Sequence, residues 1–333
     1  MLKCCRCENT KEEQYFHKRK CKRGYSYLCK ECDKERMIKH REANGFFVLM
    51  FRNAKMHARV RTENGRLNAG AFELTLGDLE NKWIKQKGKC FYSNIEMCKK
   101  SYSDWTCSLE RLDNNLGYTK DNSVLICLEF NTACTQWSLE KIKAIPELLK
   151  KEIQLLDENL NLSKRLIITK NKDNMEINSI MHGFCRYCKL YIPLNELHEN
   201  FTHRGCINCI REYTKNVKST LFGYLSTLIT YSRQNKSHME YNIDLNFLKQ
   251  LYKNQKGRCA YSNIPLQLLN DKNEWIMSIE RVDSKIGYIK SNVCLICREF
   301  NSMDRSAVSE RNSGSCGWNL DKFNIFLKSA YSL

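Results

Sequence analysis

Residues 108–132 read SLERLDNNLGYTKDNSVLICLEFNT, and residues 278–302 read SIERVDSKIGYIKSNVCLICREFNS. Of the 25 aligned positions, 14 are identical, and the alignment needs no gap. A match of this length at a constant offset is a repeat. The repeat extends outward, because QKGKCFYSN at 86–94 returns as QKGRCAYSN at 255–263. The chain is therefore one module of roughly 140 residues that is used twice.

The composition favours a polyanionic partner. The formal net charge is +18, from 55 basic and 37 acidic residues in a chain of 333. A charge this far from neutral favours a polyanionic partner, most often nucleic acid. The alternative is that the charge only keeps the protein in solution.

Cysteine usage bears on the compartment. The chain has 19 cysteines, and no apolar run follows its first Lys, so we expect no secretory signal. No apolar segment approaches the roughly 18–20 residues needed to span a bilayer, so we expect no membrane partner. These features predict an intracellular, reducing compartment (cytoplasm, nucleus or organelle matrix), where paired cysteines favour metal over disulfides.

Each half opens with two Cys-x-x-Cys pairs. Such pairs can supply four thiolates to one tetrahedral zinc, followed by the start of a helix. We predict two structural zinc sites, and a site closed by four protein ligands has no catalytic position. Cys5 could compete with Cys4, and His198 or His203 could replace a thiolate in the second site. The predicted ligands are Cys4, Cys7, Cys29 and Cys32 in the first site and Cys185, Cys188, Cys206 and Cys209 in the second.

Helices are predicted around each repeat. Residues 33–61 have a helical pattern with many basic residues, which suits either a solvated face or contacts with phosphates. Thr75 and Asp244 are predicted helix N-caps, and Gly88 and Gly257 predicted helix ends. Pairs at helical i, i+4 spacing predict the apolar faces of these two helices. The pairs are Leu79 with Trp83 and Phe247 with Leu251.

The repeated stretch predicts a strand, a loop, a strand and the start of a helix. Residues 107–112 alternate, DNNLGY and DSKIGY have turn residues, and SVLIC and NVCLIC are apolar and β-branched. CFYSN and CAYSN, just upstream, are predicted strands. Residues 138–159 predict an amphipathic helix interrupted near Pro146, residues 160–182 a polar connection, residues 309–319 a loop and residues 321–333 a closing helix.

These motifs together resemble a nuclease family. A Cys-rich opening CxxC…CKECxKE, a helix ending in QxGKCxYS, then SLERLDNNxGYTxxN, an apolar strand ending in Cys and a helical Asn are similar to the HNH (His-Me finger) endonucleases. The similarity is to phage HNH enzymes and to phage recombination endonuclease VII. The resemblance covers most of both halves and implies a ββα-metal core that cuts phosphodiester bonds.

The resemblance also implies roles for the repeated residues. Glu110 and Glu280 match the metal-binding carboxylate, and Asn131 and Asn301 match the metal ligand on the helix. Carboxylate and amide oxygens suit a catalytic Mg²⁺ or Mn²⁺ rather than zinc. The loop-bracing Asn of the family corresponds to Asn122 and Asn292.

The chain departs from the family where the activating His should stand. That position is Arg111 in one copy and Arg281 in the other, and arginine cannot act as a base. Arginine could instead clamp a phosphate or stabilise charge in the transition state. The base would then be Asp113 or Asp283, Tyr118 or Tyr288, a hydroxide bound to the metal, or a distant His such as His57. A structural alternative is that the repeated Glu-Arg-x-Asp only makes ion pairs that hold the loop.

A second departure concerns the paired cysteines that endonuclease VII-like proteins have around this unit. Only Cys90 and Cys259 of the first pair are present, with Ser93 and Ser262 in place of their partners. We therefore predict no zinc in either core, and interpret Cys127, Cys294 and Cys297 as small buried hydrophobes.

The sequence therefore predicts an α+β protein with two treble-clef-like zinc knuckles and two ββα cores. The predicted function is a divalent-metal-dependent DNA endonuclease, a monomer whose two cores act as a pseudo-dimer. The alternative is an inactive, zinc-containing component of a DNA or RNA assembly. The predicted segments are zinc knuckle 1 (1–38), core 1 (39–137), a helical linker (138–182), zinc knuckle 2 (183–215), core 2 (216–305) and a C-terminal tail (306–333).

Overall fold

The computed structural model divides the chain into two compact units. Unit 1 comprises Met1–Thr132 and Phe326–Leu333, and unit 2 comprises Ala133–Ile325. The structure describes residues 1–100, 103–132, 136–156, 174–198, 205–235, 239–269, 274–283, 286–301 and 317–331, apart from the side chains of residues 38, 40–44 and 235. Of the polar connection predicted over 160–182, residues 160–173 lie outside these ranges, and the described remainder contains strands at Met175–Ile177 and Ile180–Phe184 rather than a plain connection. Of the loop predicted over 309–319, residues 309–316 lie outside these ranges.

The described residues form an α+β fold of helices and small antiparallel sheets. The strands are β1 (Leu2–Lys3), β2 (Thr10–Lys11), β3 (Phe16–Lys18), β4 (Tyr25–Cys29), β5 (Cys107–Arg111), β6 (Ser123–Cys127), β7 (Met175–Ile177), β8 (Ile180–Phe184), β9 (Tyr191–Pro193), β10 (Leu197–His198), β11 (Gly205–Cys206), β12 (Met277–Arg281) and β13 (Val293–Cys297). The strands pair as β1–β2, β3–β4, β5–β6, β7–β8–β9, β10–β11 and β12–β13.

Helices connect these sheets in both units. The helices are α1 (Lys30–Asn44), α2 (Phe46–Glu63), α3 (Leu67–Gly70), α4 (Leu76–Lys85), α5 (Leu128–Asn131), α6 (Leu139–Lys143), α7 (Ile145–Lys150), α8 (Ile207–Lys218), α9 (Leu221–Asn235), α10 (Leu245–Asn254) and α11 (Leu320–Tyr331). Single 3-10 turns lie at Glu13–Tyr15, Leu194–Glu196 and Arg298–Phe300.

The predicted helix over 33–61 is two helices, because Gly45 interrupts it. Gly45 has φ +76° and ψ 137°, a backbone conformation outside the helical region, and it ends α1 and precedes α2. A residue with a side chain rarely adopts a positive φ, so glycine allows the break there.

The predicted helix starts of α4 and α10 are confirmed. The Thr75 hydroxyl accepts the N–H of Asp78, and the Asp78 carboxylate accepts the N–H of Thr75, so the two form a capping box. The Asp244 carboxylate accepts the N–H of Phe247 at 2.8 Å. Gly88 and Gly257 follow the two helices with φ near +69° and +68°.

The predicted apolar face of α10 was wrong by one residue. Leu248 and Tyr252 are buried, whereas Phe247 and Leu251 are half-buried. Leu248 is the counterpart of Leu79 in the first copy, and Tyr252 is the counterpart of Trp83. The offset of 169 residues that the helix shares with the repeated QKG (86 and 255), rather than the local spacing, identifies the residues that face the core.

Each repeated stretch forms a two-stranded antiparallel hairpin followed by a single helical turn. We call core 1 the hairpin β5–β6 with α4 and α5, and core 2 the hairpin β12–β13 with α10 and the turn Arg298–Phe300. Leu109 lies opposite Leu125 in core 1, and Ile279 lies opposite Leu295 in core 2. The predicted strand, loop, strand and helix order is confirmed in the described residues of both cores.

Three further predictions differ from the structure at least in part. CFYSN and CAYSN form turns rather than strands, because the N–H of Cys90 and of Cys259 pairs with a carbonyl five residues later. The predicted helix over 138–159 is two short helices, α6 and α7, and ends at Lys150; residues 151–156 are not helical, and residues 157–159 lie outside the described ranges. Cys294 is half-buried, whereas Cys127 and Cys297 are fully buried as expected.

Candidate metal centres and catalytic cores

The first four predicted thiols come together at the start of α1. The sulfur atoms of Cys4, Cys7, Cys29 and Cys32 lie within 4.8 Å of one another. The Sγ atoms of Cys7 and Cys29 are 4.0 Å apart, close to the roughly 3.8 Å between sulfurs at the corners of a tetrahedron around zinc with Zn–S bonds of about 2.3 Å. We call this set the first cysteine cluster.

Backbone N–H groups in the first cysteine cluster stabilise a thiolate, the form that binds a metal cation. The N–H of Cys29, the N-cap residue of α1, donates to Cys4 Sγ at 3.3 Å. Burial tends to raise the pKa of Cys4, but backbone N–H donors from Cys29, Cys7 and Arg6 outweigh it and lower that pKa to about 6. By contrast, burial and the neighbouring thiols raise the pKa of Cys32 to about 12. Four thiols this close fit a metal that holds them deprotonated.

The second cysteine cluster repeats this arrangement at the start of α8. Its members are Cys185, Cys188, Cys206 and Cys209, again within 4.8 Å of one another. The N–H of Cys206 donates to Cys185 Sγ at 3.2 Å, and such donors lower the pKa of Cys185 to about 7 although burial opposes them. Both clusters are compatible with structural zinc. Cys5 is exposed and stands outside the first cluster, and His203 lies outside the described residues.

The hairpin of core 1 sorts its side chains onto two faces. Successive residues of a strand point to opposite faces, so Ser108 and Glu110 share one face, and Leu109 and Arg111 share the other. Asn131, at the end of α5, donates from Nδ2 to Ser108 Oγ and to the Leu109 carbonyl, both at 2.8 Å. The Asn131 amide is therefore held on the face that also presents Glu110.

Core 2 has the same arrangement. Asn301 Nδ2 donates to Ser278 Oγ at 2.8 Å and to the Ile279 carbonyl at 3.2 Å. Glu280 follows Ser278 on the same strand face. The repeat thus places a carboxylate and a side-chain amide on one face of each hairpin, and both groups offer hard oxygen ligands.

The two glutamates differ in exposure. Glu110 is half-buried, and Glu280 is only 2% exposed. Burial raises the pKa of Glu110, and the N–H and positive charge of Arg111 partly offset that effect. The Arg111 N–H reaches Glu110 Oε1 at 2.9 Å. A carboxylate that is partly desolvated gains more from a bound cation than one in water.

Arg111 braces the loop between the strands. Its guanidinium donates to the carbonyls of Asn114 and Leu116 at 3.0 and 2.8 Å and to the Asn114 side chain at 2.9 Å. It also lies 5.5 Å from the ring centroid of Tyr118. Burial, then the charge of Arg61, lower the pKa of Arg111, although an arginine remains protonated under ordinary conditions. Arg111 therefore helps to hold the loop through hydrogen bonds and a ring contact, whereas the structural alternative was a set of ion pairs.

Arg281 makes related contacts in core 2. Its Nη1 donates to the Ile286 carbonyl at 3.1 Å, and its guanidinium lies 5.3 Å from the centroid of the Tyr288 ring. Arg281 Nη1 also contacts the Met239 sulfur at 3.1 Å, whereas Arg111 has only oxygen acceptors among the contacts described above. In both copies the arginine points away from the strand face that presents the glutamate.

Asn122 and Asn292 hold the same loops through several side-chain hydrogen bonds each. Asn122 Oδ1 accepts the N–H of Asp113 at 2.8 Å, and its Nδ2 donates to the carbonyls of Asp113 and Gly117. Asn292 does the same with Asp283 and Gly287. These are the contacts expected of a loop-bracing asparagine. The Asp113 carboxylate accepts the N–H of Asn115 at 2.8 Å, which also orders the loop.

The repeated Gly-Tyr is required by a close backbone approach. A Cβ atom on Gly117 would lie 2.1 Å from the Ala71 carbonyl oxygen, and one on Gly287 would lie 1.9 Å from that of Glu240. The N–H of Tyr118 donates to this Ala71 carbonyl at 2.9 Å. The glycine therefore repeats for packing, which the sequence pattern alone did not reveal.

Sequence reasoning missed the glutamine that ties each helix to its hairpin. Gln86 Nε2 donates to the Leu125 carbonyl at 2.8 Å, and its Oε1 accepts the Leu125 N–H at 2.9 Å. Gln255 pairs with Leu295 in the same way. The signal was present in the repeated QKG, where the glutamine precedes the glycine by two residues in both copies.

A buried ion pair in unit 2 was also missed. Lys141 Nζ lies 2.6 Å from Glu299 Oε1, with side chains 2% and 0% exposed. The Trp275 N–H donates to the same oxygen at 2.8 Å, and Lys141 Nζ lies 5.0 Å from the centroid of the Trp275 ring. Lys141 belongs to WSLEKI at 137–142, which returns as WNLDKF at 318–323. Removing one partner of a buried pair of this kind is strongly destabilising, because it leaves an uncompensated buried charge.

None of the four histidines whose side chains the structure describes lies in the hairpin of either core. His57 is exposed on α2, and His17, His182 and His198 lie in the strands of the two cysteine-rich regions. Of the seven histidines in the chain, His203, His238 and the side chain of His40 lie outside the described residues.

The comparisons add no relative: neither the family models nor the curated proteins nor the solved structures contain a match to this chain. Among the described residues, no helix combines the length and apolar character needed to cross a membrane.

Proposed function

We propose that the chain is a divalent-metal-dependent endonuclease of the HNH (His-Me finger) type that cuts phosphodiester bonds in DNA. The observation that carries the proposal is the placement of Asn131 by Ser108, on the strand face that presents Glu110. The same placement recurs at Asn301 and Glu280. The net charge of +18 supports a polyanionic substrate.

Glu110 and Asn131 would hold Mg²⁺ or Mn²⁺ in core 1, and Glu280 and Asn301 would do so in core 2. Both cations prefer such hard oxygen ligands, and Mg²⁺ usually retains several waters and binds substrate phosphate as well. When bound, the cation would lower the pKa of a water molecule and neutralise charge on the phosphate. The two cysteine clusters have all four positions filled by protein and would serve folding only.

Other repeated residues either hold the loop or are candidates for the general base. Arg111 and Asn122 hold the loop that follows β5, and so keep Glu110 at a defined place on the strand. Tyr288 is a poor base, because burial raises its pKa. Asp113 uses a carboxylate oxygen to accept an N–H within its own loop. We therefore assign neither residue the role of general base.

Core 1 is the better candidate for cleavage. Glu110 is half-buried and can exchange water for a cation at the surface, whereas Glu280 is 2% exposed. We expect Glu110→Ala to abolish most of the activity and Glu280→Ala to reduce it less.

The test is plasmid nicking by the full chain with Mg²⁺, with Mn²⁺ and with no added divalent cation. EDTA is avoided because it would compete for zinc at the cysteine clusters. Glu110→Ala with Glu280→Ala should lower nicking by at least about 100-fold, since even outer-shell partners of a metal can cost that much. Glu80→Ala, at an exposed position on α4, is the matched control and should leave nicking unchanged. Undiminished nicking by the folded double variant would overturn the site.

A binding protein without nuclease activity is the second candidate. The engagement of Arg111 and Arg281 with loop carbonyls favours it, because the position of the activating base is used for structure in both copies. This candidate would be favoured if the zinc-loaded chain binds DNA but shows no metal-dependent nicking. The substrates to test are supercoiled plasmid and branched DNA.

A further inference from the structure

The hairpin of the first cysteine cluster ends in a strongly basic tip. Residues 17–24, HKRKCKRG, contain five Lys or Arg and no acidic residue. They comprise the end of β3 and the turn that leads to β4, where the Arg19 N–H donates to the Gly24 carbonyl and the Gly24 N–H donates to the Cys21 carbonyl. The side chains of residues 17–22 are exposed. The turn therefore presents its cations together at one end of a two-stranded ribbon.

The hairpin is anchored on the first cysteine cluster. Phe16 on β3 lies opposite Cys29 on β4, and both are buried. Arg23 packs its guanidinium 5.4 Å from the ring centroid of Phe16 and 5.3 Å from that of Tyr27. It also donates to the Lys3 carbonyl at 2.8 Å. The tip is thus held by the same residues that hold the thiols, so its exposed lysines project from a rigid base.

The cysteine-rich fold does not itself require these charges. In the second copy the stretch between the corresponding pairs, KLYIPLNELHENFTHRG at 189–205, has one Lys, one Arg and two Glu. The second cysteine cluster nevertheless has the same four thiols within 4.8 Å. The five cations of the first copy therefore serve something other than the closure of a metal site.

Charge and shape both favour duplex DNA as the partner. Cations within one turn lie inside the Debye length of about 8 Å at physiological salt, so they repel one another until an anion neutralises them. Duplex DNA presents a phosphate about every 1.7 Å along its axis. Its major groove admits a two-stranded β-ribbon. A narrow basic ribbon that projects from a rigid base fits these two features together.

We propose that the β3–β4 hairpin docks on duplex DNA, with Lys18, Lys20 and Lys22 contacting backbone phosphates. The proposal deepens the proposed function, on which it rests for the substrate class. It assigns the main docking surface to the first copy alone.

The first experiment measures binding of a 20-base-pair duplex by fluorescence anisotropy across a KCl series, without divalent cations. Each phosphate contact contributes about 0.9 to the slope of log K against log salt. The variant Lys18→Gln/Lys20→Gln/Lys22→Gln should therefore lose about 2 to 3 from that slope. The matched control, Lys189→Gln/Lys256→Gln/Lys328→Gln, removes the same charge from exposed positions elsewhere in the chain, and should lose about 1 or less.

The outcomes separate this inference from the nuclease proposal. Equal slopes for the tip variant and the control would overturn the docking surface, even if the wild type cuts DNA. A selective loss of slope in a chain that never cuts would support docking and reject the nuclease. Failure of the wild type to bind duplex DNA would reject both.

A second measurement uses the native chain and does not depend on a variant. Cys21 is exposed in the centre of the tip. Its alkylation, followed by mass spectrometry of the Cys21 peptide, should slow several-fold when duplex is bound at saturation. An unchanged rate would place the DNA elsewhere and overturn the proposal.

Discussion

At the scale of single residues, the repeated motif combines two kinds of position. Arg111, Asn122 and Gly117 each have a structural reason in the loop, through hydrogen bonds or a close approach. The Glu110 and Asn131 side chains instead lie on the same face of the hairpin, Glu110 from β5 and Asn131 from α5, and the contacts described above give them no comparable role in holding the loop. The motif is therefore partly a loop-building device, and the functional hypothesis rests on the second group alone.

The protonation of Glu110 gives a prediction for stability against pH. Burial raises its pKa in the folded core, so the protonated form is favoured there. Such a group contributes stability below its unfolded pKa of about 4.3, and that contribution is lost as pH rises through the folded pKa. Without divalent cations, Glu110→Gln should raise the melting temperature at pH 7, and the difference should vanish below about pH 4.

The control for that experiment is Glu80→Gln, at an exposed position on α4. It should leave the melting temperature unchanged at both pH values. A lower melting temperature for Glu110→Gln at pH 7 would mean that the folded core favours the ionised carboxylate, contrary to the prediction.

Gly117→Ala tests the close approach of the loop to Ala71. The added Cβ would stand 2.1 Å from the Ala71 carbonyl oxygen, so backbone must shift. We expect a loss of about 1–3 kcal/mol in the free energy of unfolding, the usual cost of overpacking. Urea denaturation measures it. Gly77→Ala is the matched control, since its nearest atom is 3.8 Å away, and it should be neutral or slightly stabilising. Equal stability of the two variants would contradict the packing argument.

At the scale of elements, the two copies use one plan with different details. In each, a cysteine is the N-cap residue of a helix, and its N–H donates to another thiol of the same cluster. In each, a glutamine after a helix pairs with the second strand of a hairpin. The local geometry at these element ends positions the thiols and the hairpins, which explains why the residues there recur in both copies.

Cys29→Ser tests the first cysteine cluster as a metal site. Loss of one thiolate should lower zinc content from two ions per chain to one, as measured by plasma mass spectrometry of the purified protein. Residues 1–36 should then become sensitive to proteolysis, because a segment this small depends on metal for its folding.

Cys21→Ser is the matched control, since Cys21 is exposed and lies outside the cluster. It should leave two zinc ions bound. If Cys29→Ser also retained two ions, the four-thiol site would be wrong.

At the scale of the whole molecule, the ends of the chain contribute to the same unit. Unit 1 contains Met1–Thr132 together with Phe326–Leu333. The Phe326 side chain is 0% exposed, and its ring centroid lies 5.6 Å from that of Phe130. The stability of the first copy therefore depends on residues at the far end of the sequence.

Phe326→Ala should destabilise unit 1 by about 3–5 kcal/mol, the usual cost of removing a buried phenylalanine. Faster amide hydrogen exchange in β5 and β6 would report the effect on core 1 directly. Ile325→Ala, at a position that is 48% exposed on the same helix, is the control and should change little. Unaltered exchange in β5 and β6 would exclude Phe326 from the packing of core 1.

The sequence by itself determined the parts that depend on local chemistry. Cysteine spacing gave both sets of four thiols, turn and cap residues gave α4, α10 and the hairpins, and the repeat gave the pairing of the two copies. These features follow from interactions between residues close in sequence or from a pattern stated twice. Glu110 and Asn131 could be named together from the family resemblance, although their chemistry stays a proposal.

Only the tertiary structure decided what depends on contacts between distant segments. It showed that Arg111 faces the loop rather than the face of Glu110, and that Gly117 lies against Ala71. It paired Lys141 with Glu299 in a buried site and assigned the last residues of the chain to unit 1. No local sequence pattern determines these contacts, because they join residues that are far apart in sequence and become neighbours only when the chain packs into its folded core.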